Sequence, residues 1–335
     1  MIKRLMWAPA AALAVGLLAS GCSSGSTTGG STSAGPVEKH DLTVAAVPAG
    51  DSAGLYIAKQ RGLFAAQGLN VTIVPAISGA TTISGQLSGK YDVTMGNYVS
   101  YLLNDWQQLQ PGSTLQKDPF EVLTAGSIMQ ANNQVMLTRA GSPIHSIADL
   151  KGKKIGVNVP DNIGFLLMSA LLKANGLTPK QVHFVPVPFP GMGAAIQKGK
   201  VDAAWMPDPF VTSNEQQYGE QPLADLNQGA VTSLPIAGYI VTKSWVRKYP
   251  NTAAAFRRAI VEGQRIADTN PTAVQNGVMA YSGVTKQVAA LMAAANYPVD
   301  TDPVPIQRVA DLMQQFQVTK TRLNVMPYIV GNIGG

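Results

Sequence analysis

The sequence predicts an α/β protein made of two successive units, each a mostly parallel sheet flanked by helices, followed by a helical C-terminal segment. Three observations predict it. Short apolar runs alternate with stretches of helical spacing, glycines close those stretches, and the alternation restarts near Val122. Alternating strands and helices of this kind build parallel sheets covered on both faces.

The elements follow in order. Leu42–Val47 reads as a buried strand, and Pro48-Ala49-Gly50-Asp51 as the turn after it. Ser52–Gln60 has helical spacing, with Gly62 and Gly68 punctuating its end. Asn70–Val74 alternates as the next strand. A helix from about Thr81 to Ser88, a strand over Tyr91–Met95 and a helix over Asn97–Gln107 complete the first unit. Val122–Ile128, Gln134–Thr138 and Lys154–Val159 read as strands, Asp161–Ala174 as a helix closed by Gly176, and Val182–Val187 as a strand. Met192–Lys198 is helical, and Val201–Met206 and Gly238–Thr242 are strands. Helices are expected over Thr252–Thr269, Thr272–Tyr281, Thr285–Ala294 and Pro305–Gln317.

The N-terminus speaks for export. Lys3 and Arg4 precede a short apolar run from Leu5 to Leu18, and small residues then lead to Cys22. That pattern is a signal segment, too short for a membrane span of about 20 residues. Ala19-Ser20-Gly21-Cys22 resembles a bacterial lipobox, which implies cleavage after residue 21 and a diacylglycerol on Cys22. An ordinary secretory signal with an incidental cysteine is the alternative. Residues 22–40 are rich in Ser, Thr and Gly, the composition of a flexible tether.

Composition excludes several classes. Cys22 is the single cysteine, so no intrachain disulfide can form. The net charge of +6 is spread along the chain, and its densest cluster, Lys151 to Lys154, reads as a solvated turn. A nucleic-acid binder would show a basic stripe with aromatic partners, and none is present. His40 lies in or next to the tether, His145 in a surface turn and His183 at a strand start, and no His/Cys/carboxylate spacing suggests a metal site. Gly191-Met192-Gly193 lacks the third glycine of a dinucleotide fingerprint.

Gly54-Leu55-Tyr56-Ile57-Ala58-Lys59, Gly62-Leu63-Phe64 and Gly68-Leu69-Asn70-Val71 resemble the opening of the nitrate/sulfonate/taurine-type solute-binding proteins, as does Leu87-Ser88-Gly89-Lys90-Tyr91-Asp92-Val93. The likeness continues through Ile147 to Val157, Gly176-Leu177 and Gln197 to Ala203, with Tyr249-Pro250 and Asn270-Pro271 opening C-terminal helices. It covers about residues 42–320. It implies a two-lobed periplasmic-binding-protein-like fold of type II. Lobe 1 would be residues 42–133 plus 244–335 and lobe 2 residues 140–235, joined by hinge crossovers at 134–139 and 236–243. It also implies a monomeric, membrane-anchored receptor on the extracytoplasmic face, with ABC permease and ATPase subunits as partners and hinge closure over the ligand. A related branch that makes the thiamine pyrimidine uses a cysteine cluster with a histidine, which this chain lacks. No catalysis is therefore expected. A surface-anchored sensor or adhesin is the other reading.

In such sheets ligands sit beyond the carboxyl ends of strands, near helix N-termini. That selects Asp51 and Ser52, then Ser78, Gly79, Ala80 and Thr81, then Asn97 and Tyr98, then Asp161 and Asn162, and finally Phe189, Trp205 and Asp208. Asp51, Ser52, Ser78, Asn97 and Asp161 are equally suited to helix N-caps; Tyr98 and Trp205 are equally suited to the core. Asp208-Pro209 stands where the family often has Glu-Pro, which suits a hinge or lobe contact. These loops hold Asp51, Asp161 and Asp208 but no Lys, Arg or His. A cation is the usual partner of a bound sulfonate or nitrate. The loops thus imply a neutral or cationic ligand with a flat polar ring, stacked on Tyr98 or Trp205, in keeping with family members that bind thiamine-pyrimidine or flavin-type precursors.

Overall fold

A computed structural model describes residues 35–331. The signal segment, Cys22 and most of the tether lie outside the described residues. The first unit runs through β1 (Asp41–Ala46), α1 (Ala53–Gln60), α2 (Leu63–Ala66), β2 (Asn70–Pro75), α3 (Ile83–Leu87), β3 (Val93–Asn97), α4 (Tyr98–Gln108) and β4 (Phe120–Ile128). The second holds β5 (Gln134–Thr138), β6 (Lys154–Val157), α5 (Ile163–Ala174), β7 (His183–Pro186), α6 (Met192–Gln197), β8 (Ala203–Pro207), α7 (Phe210–Tyr218) and β9 (Gln221–Asp225). The chain then returns through β10 (Pro235–Thr242) and ends in α8 (Lys243–Lys248), α9 (Pro250–Thr269), α10 (Pro271–Ser282), α11 (Lys286–Leu291) and α12 (Pro303–Gln315).

Two five-stranded sheets result, in the orders β2-β1-β3-β10-β4 and β7-β6-β8-β5-β9. They share one plan. β1 pairs in parallel with β2 and β3, and β6 pairs in parallel with β7 and β8. One strand of each sheet is reversed: β10 is antiparallel to β3 and β4, and β5 to β8 and β9. Each reversed strand is the one by which the chain enters that sheet from the other. The segments expected as crossovers, 134–139 and 236–243, are thus largely strands of the sheets they join, and the chain passes between sheets just before them.

Strands are almost wholly buried where both faces are covered: β3, β5, β8 and β10 contain no exposed residue. β9 and α7 escape the apolar pattern of the sequence. β9 is an edge strand paired only with β5, and its first residues, Gln221 and Pro222, are exposed. In α7 only Val211, Thr212 and Asn214 are buried, so its apolar stripe is too thin to announce a helix.

One apolar cluster runs through both sheets, and a smaller one forms where α1 meets α9 and α10 through Ala53, Ile57, Val274 and Val278. That approach needs glycine: a Cβ on Gly263 would lie 2.4 Å from the Gly54 carbonyl oxygen. The packed chain starts before β1. Glu38 accepts hydrogen bonds from the Asn251 and Thr252 backbone N–H groups, at 3.0 and 2.8 Å, and so caps the first turn of α9. A tether composition hides such a contact, because the helix that orders it lies some two hundred residues away. Among the described residues no helix is long and apolar enough to cross a membrane.

Candidate functional site

The carboxyl ends of β1 and β3 meet those of β6 and β8 around a cavity of about 50 Å³. Eight of the residues singled out by position line it: Asp51, Ser52, Ser78, Gly79, Asn97, Asn162, Phe189 and Trp205. The remaining wall includes Met95, Gln134, Asn158, Ile163 and Ile236.

Several wall residues both cap a helix and line the cavity. Asn97 Oδ1 accepts from Ser100 N at 3.0 Å and caps α4, and Asn162 Oδ1 accepts from Phe165 N at 3.2 Å and caps α5. Asn162 Nδ2 donates to Asn158 Oδ1 at 2.5 Å, which fixes both amides although both are buried. Ser52 Oγ donates to the Val47 carbonyl at 2.7 Å. Ser78 closes a turn with Thr81, whose hydroxyl donates to the Ser78 carbonyl at 2.8 Å. That turn leaves Thr81 exposed and Ala80 half-buried, neither on the cavity wall.

The aromatic wall comes from the second sheet. Trp205 and Phe189 meet edge to face with centroids 5.3 Å apart, and Trp205 Nε1 donates to Gln134 Oε1 at 3.0 Å. The indole lies over the start of α5, where a Cβ on Gly164 would come within 2.2 Å of the ring. Gln134 and Asn158 were not anticipated as wall residues. Their signal was an amide at the end of an otherwise apolar strand, since a buried amide needs a partner or a ligand.

Tyr98, Asp161 and Asp208 lie elsewhere. Tyr98 is fully buried behind β3, against Gly238, and borders a separate cavity of about 380 Å³ beside Ser127 and Tyr297. Asp161 is exposed, with φ of 51°. Asp208 is buried off the cavity wall. Its carboxylate accepts from Thr212 N at 2.9 Å and Ala293 N at 2.7 Å, and its carbonyl accepts from Gly50 N at 2.9 Å. Burial nevertheless holds its carboxyl above the usual range, against the pull of those bonds. Asp208 therefore ties the end of β8 to the loop after β1 and to the segment after α11.

Asp51 is the only charged side chain on the wall. Its Oδ1 is inaccessible and has no hydrogen-bond partner. Burial pushes the carboxyl up to about 6, with the nearby Ser127 hydroxyl pulling the other way. No group of three His, Cys, Asp or Glu side chains among the described residues is arranged to hold a metal ion.

Known proteins place this architecture. Residues 49–274, which span both sheets, match the family model described as NMT1/THI5 like. The Escherichia coli taurine-binding periplasmic protein is 29% identical over 195 residues, covering 58% of this chain and 56% of that protein. The nitrate/nitrite binding protein NrtA of Nostoc is 24% identical over 79% of this chain and 66% of its own length. The chain thus spans between about half and two thirds of these relatives. The alkanesulfonate-binding protein SsuA of Xanthomonas axonopodis pv. citri, bound to MOPS, superposes with a TM-score of 0.71 at 18% identity, over 88% of this chain and 99% of that one. The fold is that of the two-lobed periplasmic binding proteins, and the chain belongs to the NMT1/THI5-like family.

Proposed function

We propose that this family member is the extracytoplasmic receptor of an ABC importer, which encloses a small solute between its lobes and delivers it to the permease. The observation that carries the reading is the cavity itself. It lies where the strand ends of the two sheets converge, and both lobes contribute to its wall. The taurine-binding and nitrate-binding relatives point the same way.

The mechanism is capture by closure. A cavity of about 50 Å³ is far below the few hundred Å³ of an ordinary ligand pocket. Solute enters an open form, and the lobes close by bending where the chain passes between sheets. Asp208 joins the lobes in the closed form, through Gly50 and Ala293. Docking on the permease reads that closed shape, and a separate ATPase supplies the energy. Cys22 carries the lipid that keeps the receptor at the membrane. The wall holds Asp51, the Ser52 and Ser78 hydroxyls and several amides, and capture asks only that they bind the solute.

A thermal-shift screen of the full-length protein tests this. The panel is taurine, alkanesulfonates, nitrate, pyrimidines, and thiamine and riboflavin precursors. A true ligand at 100 times its Kd stabilises by about 2.7 kcal/mol and is recovered unchanged. A panel with no shift, or a ligand converted to product, counts against the receptor reading.

A further inference from the structure

The cavity wall carries a single charge, and it is negative. Asp51 sits in the turn between β1 and α1, with neither Lys, Arg nor His among the wall residues. Three hydroxyls that reach its turn are engaged elsewhere. Tyr281 OH donates to the Ala49 carbonyl at 2.6 Å, Tyr297 OH to the Gly50 carbonyl at 2.9 Å, and Ser52 Oγ to the Val47 carbonyl at 2.7 Å. The Ser127 hydroxyl pulls the Asp51 carboxyl down, yet neither its Oγ nor Asp51 Oδ1 makes a hydrogen bond of normal geometry.

A buried carboxylate oxygen without a partner is costly and uncommon in a folded protein. Here it borders a cavity whose wall comes from both sheets. The same wall includes the Trp205 and Phe189 rings, and aromatic rings favour cations. Asn97, Asn158 and Asn162 add neutral amides and no positive charge.

We infer that the site takes a small organic cation, or a ligand end bearing a cationic nitrogen, whose N–H groups bind Asp51 against the Trp205–Phe189 wall. The inference rests on the receptor reading above and narrows it. Of the three aspartates that the sequence brings to the strand ends, Asp51 alone sets the charge of the ligand, because Asp161 is exposed and Asp208 is engaged in joining the lobes. The raised carboxyl of Asp51 agrees: it lacks a counter-charge until a ligand brings one. Simple oxyanions such as nitrate are repelled by the same group.

Isothermal titration calorimetry of the full-length protein at neutral pH decides it, with ethylammonium, guanidinium and 4-aminopyridinium set against ethanesulfonate and nitrate. We expect binding of at least one cation, weakened at least about tenfold in Asp51→Asn, as loss of a charged hydrogen bond predicts. We also expect that affinity to fall below pH 6 in the parent protein and to stay flat in Asp51→Asn. A cation that binds both proteins equally overturns the inference. So does ethanesulfonate or nitrate binding the parent protein more tightly than the cations; either result leaves the receptor reading standing. Silence from all five compounds and from the thermal-shift panel removes both.

Discussion

The two sheets are built on one plan, yet corresponding loops carry their polar residues to different ends. After the first parallel strand of each sheet comes an aspartate: Asp51 beyond β1 and Asp161 beyond β6. Asp51 is drawn into the cavity with a buried, unpartnered oxygen, whereas Asp161 stands in solvent in a left-handed conformation. The third parallel strand of each leads to Asn97, the last residue of β3, and to Asp208, just beyond β8. Asn97 caps α4 and stays on the cavity wall, while Asp208 accepts from α7 and reaches across to Ala293. Topology fixes which loops meet. Partners and backbone conformation then decide which side chains remain available to a ligand.

That asymmetry is open to attack, and the largest effect is expected on the second sheet. Trp205→Ala empties the aromatic wall and should cost about 3–5 kcal/mol of stability in a denaturant titration, besides abolishing ligand binding. A loss under 1 kcal/mol would mean that the indole is not the packed wall its 2% exposure implies.

On the first sheet the sign reverses. The Asp51 carboxyl in the folded chain, at about 6, lies above its ordinary value, so ionising it opposes folding. Stability should therefore be greatest below the ordinary carboxylate range and fall as pH rises toward 6, by about 3 kcal/mol in all. Asp51→Asn removes that loss: its unfolding free energy should match the parent near pH 4 and exceed it at pH 8. Equal stabilities at pH 8 would show that the carboxylate has a partner.

Asp208→Ala sharpens the contrast between the two aspartates. It strands the Thr212 and Ala293 N–H groups, at a cost of about 1–3 kcal/mol. It should also enlarge the radius of gyration of the unliganded protein in small-angle scattering, because one tie between the lobes is gone. An unchanged radius would show that Asp208 only caps α7. The smallest effect belongs to Asp161→Asn, which should leave stability within about 0.5 kcal/mol and ligand affinity untouched, as for exposed positions generally. A loss of binding there would move Asp161 back into the site.

Much of this was readable from residue order. Alternation and glycine punctuation located the two sheets, and the position of loops at strand ends selected Asp51, Asn97, Asn162, Phe189 and Trp205, all of which line the cavity. Tyr98 shows the limit. It is next to Asn97 in sequence, but the first turn of α4 carries it behind β3, where burial pushes its hydroxyl's pKa far up. Gln134 fails in the other direction: it opens a strand that the sequence places between lobes, and the cavity becomes visible only once β5 pairs with β8.

The sequence by itself determined the class of fold, the family likeness and the absence of a cation from the loops at the strand ends, because these depend on local period and composition. Only the tertiary structure decided which of three aspartates is left on the cavity wall with a buried, unpartnered oxygen. That choice rests on contacts between residues far apart in the chain, Tyr281 with Ala49, Tyr297 with Gly50 and Ala293 with Asp208. A carboxylate's charge is written in the sequence, whereas its solvation and its hydrogen-bond partners are set by whatever folds around it.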